Sequence, residues 1–401
     1  MRKYQIVCLN LAIILNLSTT LQALGDVQSG VAPVTNSPQW AKKMQALSST
    51  LVDIIRDISS NQRFNSPKNS DKIKEHAKKL ASLAHDLEKN GMKSPDLDPT
   101  VKFLSGLFSD EAQHAYQELK RGNRSYARSI LKSISGYCVS CHTRTHEGPE
   151  FKKLTAEMNS SGANSIEIGE FYAATRQFDL ALAEFRKVTS SSALSMSRPF
   201  EWERAVEQSL AIAIRFKQEP VLALDIVEQV VSNKNAPFFF RQNADQWKKS
   251  LVDWKNEIPR QAITEEGLYS EALRLTAEAH RLQKYPLDRS ADVIYLRASA
   301  ALHHLLQVAP EGRHAGEAFL LAGLCYEVLK PLNLEELHEI YYEACIKKVP
   351  HSATAELCYH RYEESIYMGF TGSGGTDIPQ DVKEKLGKLE NLAHTSPIQP
   401  N

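Results

Sequence analysis

Cys138-Val139-Ser140-Cys141-His142 constrains this chain more than any other stretch. Thiols three residues apart on a helical turn face the same way, so each can form a thioether with one vinyl group of a haem, and the imidazole that follows can reach the iron. The spacing is that of a c-type haem attachment site, with one covalent haem c as cofactor, Cys138 and Cys141 as thioether residues and His142 as proximal iron ligand. Two other chemistries use paired cysteines. A thioredoxin-like dithiol needs a βαβ setting and a zinc site needs a second ligand pair, and neither is visible along the sequence. The fold must therefore offer a helix end beside a slot large and apolar enough for a porphyrin.

Residues 1–25 predict an export signal: Met1-Arg2-Lys3 is positive, Ile6 to Leu17 is mostly apolar, and Ala23 and Gly25 mark a cleavage site. The apolar run is short for a membrane span and no later segment reaches the needed length, so no span is expected after cleavage; an uncleaved anchor is the alternative. Cys8 lies inside that run and is assigned no role. Covalent haem attachment in bacterial c-type cytochromes is an envelope process, so signal and motif together point to the periplasm.

Over the whole chain 48 Lys and Arg balance 48 Asp and Glu, which gives no sign of a nucleic-acid partner. The balance is uneven. Residues 38–148 carry 18 basic against 12 acidic side chains, net +6, which leaves −6 for the rest. A basic haem region suits an acidic redox partner, with the two propionates offsetting part of the excess.

The periodicity is helical throughout, and the expected fold class is all-α. Trp40, Met44, Leu47, Leu51, Ile54 and Ile58 form one apolar stripe on a helix from Pro38 to Ser59. Asn61 to Asn69, with Pro67, breaks it. Ser70 caps a second helix with Ile73, Ala77, Leu80, Leu83 or Ala84, and Leu87 inward, ended by Gly91. A third carries Val101, Leu104, Phe108, Ala112, Ala115 and Leu119, and stops at Gly122. The fourth starts near Arg124, with Tyr126, Ile130, Ile134 and Tyr137 leading into the haem motif, and Gly148-Pro149 closes the region. Up-down-up-down packing of these four helices puts the start of the first beside the end of the fourth. Met44 is then the candidate distal iron ligand, with core filling as its ordinary alternative. Met92 and His85 are weaker candidates, His76 and His114 belong at the far end, and His146 follows the motif too closely to reach across. Phe103, Phe108, Tyr116 and Tyr137 read as core, some of them walling the haem.

About 110 residues, four helices and a CxxCH near the end of the fourth resemble the cytochrome c-prime family. The resemblance implies a four-helix haem bundle over 38–148, and in one of the family's two types a Met from the first helix as sixth ligand, a position that Met44 matches. It also implies a homodimer as one assembly. Thr145 and His146 stand where many members carry an aromatic and an Arg, so the propionate contacts differ.

From Asn164 the pattern changes to helix pairs. Ile168-Gly169, Tyr172, Ala181 and Phe185 match the L-G-x2-Y and A-x3-F spacing of tetratricopeptide repeats, in which small residues let paired helices approach. Ala211, Ile214, Ala223 and Val227 occupy the same slots more loosely. Ala298, Leu302 and Pro310 close a further unit; Phe319, Gly323, Tyr326, Tyr342 and Pro350 outline the next. Trp247, Trp254 and Phe238-Phe239-Phe240 read as core between helices. Residues 160–370 thus resemble a tetratricopeptide-like α-solenoid, which implies a surface for a protein or peptide partner, and 371–401 read as a flexible tail around one short helix at 381–392. Leu-Cys-Tyr recurs at 324–326 and 357–359. Cys325, Cys345 and Cys358 are expected as three buried thiols, with one disulfide plus one free thiol as the alternative.

The leading expectation is a periplasmic electron-transfer cytochrome, not an enzyme: no acid/base or metal-ligand constellation stands beside the haem motif, so no catalytic residue is assigned. Two alternatives remain, a haem-based gas sensor with an open distal face, and an envelope interaction scaffold with a structural haem.

Overall fold

Apolar side chains at three- and four-residue steps fold the first long helix, α1 (Pro38–Ile58), and bury Leu47, Leu51, Ile54 and Ile58 along one side. The computed structural model describes residues 38–58, 61–90, 99–142, 162–257, 264–286, 288–329 and 337–394, and residues 36–401 form one compact unit. The described chain is all-α apart from one small hairpin. The expected signal at 1–25 and the Gly148-Pro149 stop lie outside the described residues.

The expected break at 61–69 holds more structure than its composition suggests. A short helix, α2 (Asn61–Asn65), buries Phe64 completely, and a 3-10 turn at Pro67–Asn69 leads into α3 (Ser70–Asn90), of which Ser70 is already the first residue. The Arg124 guanidinium lies over the Phe64 ring at 5.1 Å, which keeps that ring dry on its far side. Next come α4 (Pro99–Arg121) and α5 (Arg124–His142), separated by a two-residue turn in which Gly122 adopts φ +88, open to glycine without strain. Ile73, Ala77, Leu80, Ala84 and Leu87 of α3 are buried, as are Leu104, Phe108, Ala112, Ala115 and Leu119 of α4. On α5 the inner row is Ala127, Ile130, Leu131 and Ile134; Tyr126, expected inward, is exposed with its ring edge-on to His114, because small Ala127 takes the inner place in that turn. Adjacent contacts link α1 with α3, α3 with α4, α4 with α5, and α5 with α1.

The later helices pack chiefly on their neighbours in the sequence. Asn164 opens α6 (Ser165–Ala174) with a reciprocal cap: its side chain accepts from the Ile166 and Glu167 amides while Glu167 accepts from the Asn164 amide. α6 packs on α7 (Phe178–Thr189), and a Cβ at Gly169 would stand 2.5 Å from Phe185 Cε1, so the close approach depends on glycine. There follow α8 (Ser192–Ser197), α9 (Pro199–Ala211) running into a π turn at Ile212–Phe216, α10 (Pro220–Ser232), α11 (Phe238–Asn256), α12 (Glu265–Leu282), α13 (Asp292–Val308), α14 (Ala315–Val328), α15 (Leu337–Lys348) and α16 (Ala353–Gly369). Of the run at 238–240 only Phe240 is buried. α11 begins at Phe238, and Phe240 alone is in register with Ala244, Trp247 and Leu251, leaving Phe238 and Phe239 in solvent.

Residues 371–394 carry an antiparallel hairpin pairing Thr371 with Thr376 and a last helix, α17 (Gln380–Ala393), which matches the short helix expected at 381–392. Leu386, Leu389 and Ala393 bury α17 against α15 and α16, and the His351 amide donates to Leu392 O at 2.9 Å. Helix α5 contacts α6, and α4 contacts α15, so the first helices and the later pairs share packing surfaces. Among the described residues no helix is long and apolar enough to cross a membrane.

Candidate functional site

α5 stays helical to His142, so positions 138, 141 and 142 fall within one third of the helix circumference at its last turn. The side chains of 138–142 are not among those described. What surrounds that helix end follows from how the first helices are tied together. Arg128 Nε, one turn into α5, donates to Ile58 O at the end of α1 at 2.9 Å, and Arg124 donates to Ser70 Oγ at 3.0 Å. Lys43 near the start of α1 pairs with Asp86 near the end of α3 at 2.8 Å, and His76 near the start of α3 lies 2.7 Å from Asp57 at the end of α1. Helix α1 is therefore antiparallel to both α3 and α5, and its first turns share an end of the group with the last turns of α5.

Met44 sits there, on the second turn of α1, half-buried and packed on the core. Leu104 and Phe108 are buried on the adjoining part of α4, and the Phe108 and half-buried Tyr137 rings are 6.4 Å apart. Tyr116 lies further along α4, with the Lys120 ammonium 5.8 Å from its ring, and belongs to the other half of the helix. Among the remaining sequence candidates, His85 is exposed and 3.5 Å from Glu88, His76 pairs with Asp57, and His114 stacks edge-on with Tyr126 at the opposite end. Met92 and His146, and the side chain of Phe103, lie outside the described residues.

The residue types fit a covalently attached haem: two cysteines and a histidine in the last turn of α5, with Met44, Leu104, Phe108 and Tyr137 on the parts of α1, α4 and α5 toward the same end. Cys138 and Cys141 would hold the vinyl carbons, and His142 and Met44 the iron. Among the described residues no three His, Cys, Asp or Glu side chains gather in a metal-binding group.

Two buried polar clusters lie outside this site, and sequence reasoning missed both. The π turn carries Arg215 inward, where Nη2 donates to the Tyr326 hydroxyl at 2.7 Å and lies 3.2 Å from His303 Nδ1; His303 Nε2 is 3.1 Å from the Tyr341 hydroxyl. The one visible signal was an Arg inside the apolar run 210–216. In the second cluster Arg289, flanked by the Phe240 and Trp247 rings at 5.9 Å each, bridges Glu207 at 2.5 Å and Asp292 at 2.6 Å. Burial pushes the Asp292 carboxyl up to about 6 although Arg289 pulls it down, and Glu207 is raised for the same reason.

The cysteines correct the favoured expectation of three thiols. Cys345 of α15 and Cys358 of α16 form a disulfide with Cα atoms 6.3 Å apart, and Cys325 is free and buried, its thiol pushed up to about 12 by burial. No family model, curated protein or solved structure matches the chain.

Proposed function

We propose that this chain is a periplasmic c-type cytochrome that carries one haem c on Cys138, Cys141 and His142 and passes single electrons, with Met44 as the distal iron ligand. The single observation that carries the reading is that the antiparallel start of α1, with half-buried Met44 on it, shares one end of the helix group with the last turn of α5, where positions 138, 141 and 142 fall. On this reading α1, α3, α4 and α5 are an up-down-up-down haem bundle of the cytochrome c-prime kind, and α6 to α16 a tetratricopeptide-like array. A haem held there supplies reversible one-electron exchange at iron. The chain's part is to fix the imidazole by its place in the last helical turn, to keep water away with Leu104, Phe108 and Tyr137, and to occupy the distal face with a thioether. A Met and His pair favours electron passage over substrate binding, so no catalytic residue is proposed.

The array is the proposed docking part for a protein or peptide partner, but not along its full surface. Arg215, His303, Tyr326 and Tyr341 are closed in between the π turn, α13, α14 and α15, so a partner has only the outer faces to use. The +6 charge of residues 38–148 is the reason to expect an acidic redox partner there.

Mass spectrometry of secreted protein tests the cofactor: a mass raised by one haem is expected, and a bare polypeptide mass rejects the reading. Visible spectra of both oxidation states test the ligand. The parent should be low-spin and Met44→Ala high-spin, with carbon monoxide binding to ferrous iron faster in the variant; identical spectra would remove Met44 from the site and favour the open-faced gas-binding alternative.

A further inference from the structure

Helices α9 and α11 meet at a corner where large apolar side chains stand in solvent. Trp202 in the first turn of α9 packs on Phe240 in the first turn of α11 at 5.7 Å between centroids, and both are buried. Their near neighbours are not: Phe200 is 85% exposed, Phe238 64% and Phe239 76%. α8 is tied to the same corner, since Ser192 Oγ bonds Asn233 at 3.2 Å and Asn235 at 2.7 Å, and its Met196 is 63% exposed. Phe238 and Phe239 stack edge to face at 5.4 Å, so the pair protrudes as one body. Single exposed apolar residues are ordinary; four at one corner, three of them Phe, are not.

The charges around the corner identify the occupant. Lys234 is exposed, Arg241 is half-exposed and donates to Lys234 O at 3.0 Å, and neither forms an ion pair among the described residues. Arg198, just before α9, is already paired with Glu201. Protruding rings with unpaired cations beside them match a lipid surface, where apolar side chains enter the acyl boundary while ammonium and guanidinium groups meet anionic headgroups. A second copy of this chain fits less well, because Glu201, the carboxylate beside Phe200, is already paired with Arg198 and so offers Lys234 and Arg241 of a second copy no free partner.

We propose that Met196, Phe200, Phe238 and Phe239, flanked by Lys234 and Arg241, dock the protein peripherally on an anionic lipid bilayer. The contact is reversible, salt-sensitive and independent of whether haem is bound.

The test is sedimentation of the purified secreted protein with vesicles of phosphatidylcholine alone and of equimolar phosphatidylcholine and phosphatidylglycerol. Parent and variants carry the same N-terminus, so any contribution of residues 1–25 cancels. The parent should partition onto the anionic vesicles about tenfold or more better than the Phe200→Ser/Phe238→Ser/Phe239→Ser variant, and also better than Lys234→Glu/Arg241→Glu, with the advantage shrinking as salt rises. Phe239→Trp should be quenched by brominated lipid beyond the parent's own tryptophan signal, which locates the contact. Equal partition of parent and triple-Ser variant overturns the proposal. So does a concentration-dependent dimer that the Ser changes abolish while vesicles bind neither protein. The substituted side chains lie in solvent, and unchanged circular dichroism verifies that the variants fold.

Discussion

Asp292 is buried with one carboxylate oxygen lacking a hydrogen-bond partner and the other held by Arg289, and burial raises it from an ordinary 3.8 to about 6. The folded chain then binds this proton more tightly than the unfolded chain. Its contribution to stability is fully present below pH 3.8 and is lost as pH rises through about 6, an effect of about 3 kcal/mol, and Glu207 shifts in the same direction. Urea unfolding of Asp292→Asn between pH 4 and 7 should therefore lack part of the parent's pH slope; parallel slopes would show that the carboxyl titrates normally. A second residue-scale prediction concerns glycine. A Cβ at Gly323 would enter the Tyr342 ring, whose hydroxyl donates to Glu327 at 2.5 Å. Gly323→Ala should cost about 1–3 kcal/mol, whereas Gly387→Ala on α17, with nothing within 4 Å, should gain about 0.5–1 kcal/mol. Denaturant midpoints that move together would contradict the packing. Gly169 and Phe185 were legible as a close helix contact because their spacing encodes it, but Arg215 was not: nothing local announces a π turn, and an Arg in an apolar run becomes meaningful only once Tyr326 and His303 are brought from other helices.

Among the elements, the long amphipathic stripes of α1, α3 and α4 were legible because one apolar face of a helix repeats at fixed steps, and Leu47, Leu51, Ile54, Ile73, Leu80 and Leu104 all went inward. Short elements were not. The five residues of α2 offer no period to detect, so fully buried Phe64 looked like loop, and three consecutive Phe at 238–240 hid which one begins the buried register. Pairing of cysteines is likewise a tertiary fact, since sequence leaves every combination of Cys325, Cys345 and Cys358 open. The disulfide between α15 and α16 closes a separation of 13 residues, and its reduction should cost about 3 kcal/mol by the chain-entropy account. Thiol counting in denaturant joins this element to the proposed cofactor. Leaving Cys8 aside, protein with haem attached should show one reactive thiol unreduced and three after reduction; five after reduction would leave Cys138 and Cys141 without thioether bonds.

For the molecule as a whole, the sequence divided the chain into a haem bundle at 38–148 and a repeat array at 160–370 and left open how the two pack. In the structure α5 packs on α6, α4 packs on α15, and Lys132 of α5 reaches Glu167 of α6 at 3.6 Å, inside one compact unit spanning 36–401. Of these contacts, the one between α4 and α15 joins helices more than two hundred residues apart and leaves no local signature in the sequence, which is why it could not be read there. The contacts make the stability of the two parts interdependent, because unfolding the array strips apolar surface from the flank of α4 and the reverse holds too. Destabilising the later helices at Gly323 should then lower the thermal midpoint read at the absorbance band of the proposed haem by as much as the midpoint read by far-ultraviolet circular dichroism. A midpoint at that band that stays at the parent's value while the dichroism midpoint falls would mean that the later helices melt first and that the shared surfaces contribute little. The same measurement on reduced protein extends the argument to α15: opening the Cys345–Cys358 link loosens the helix that α4 leans on, so the signal of the proposed haem should again follow.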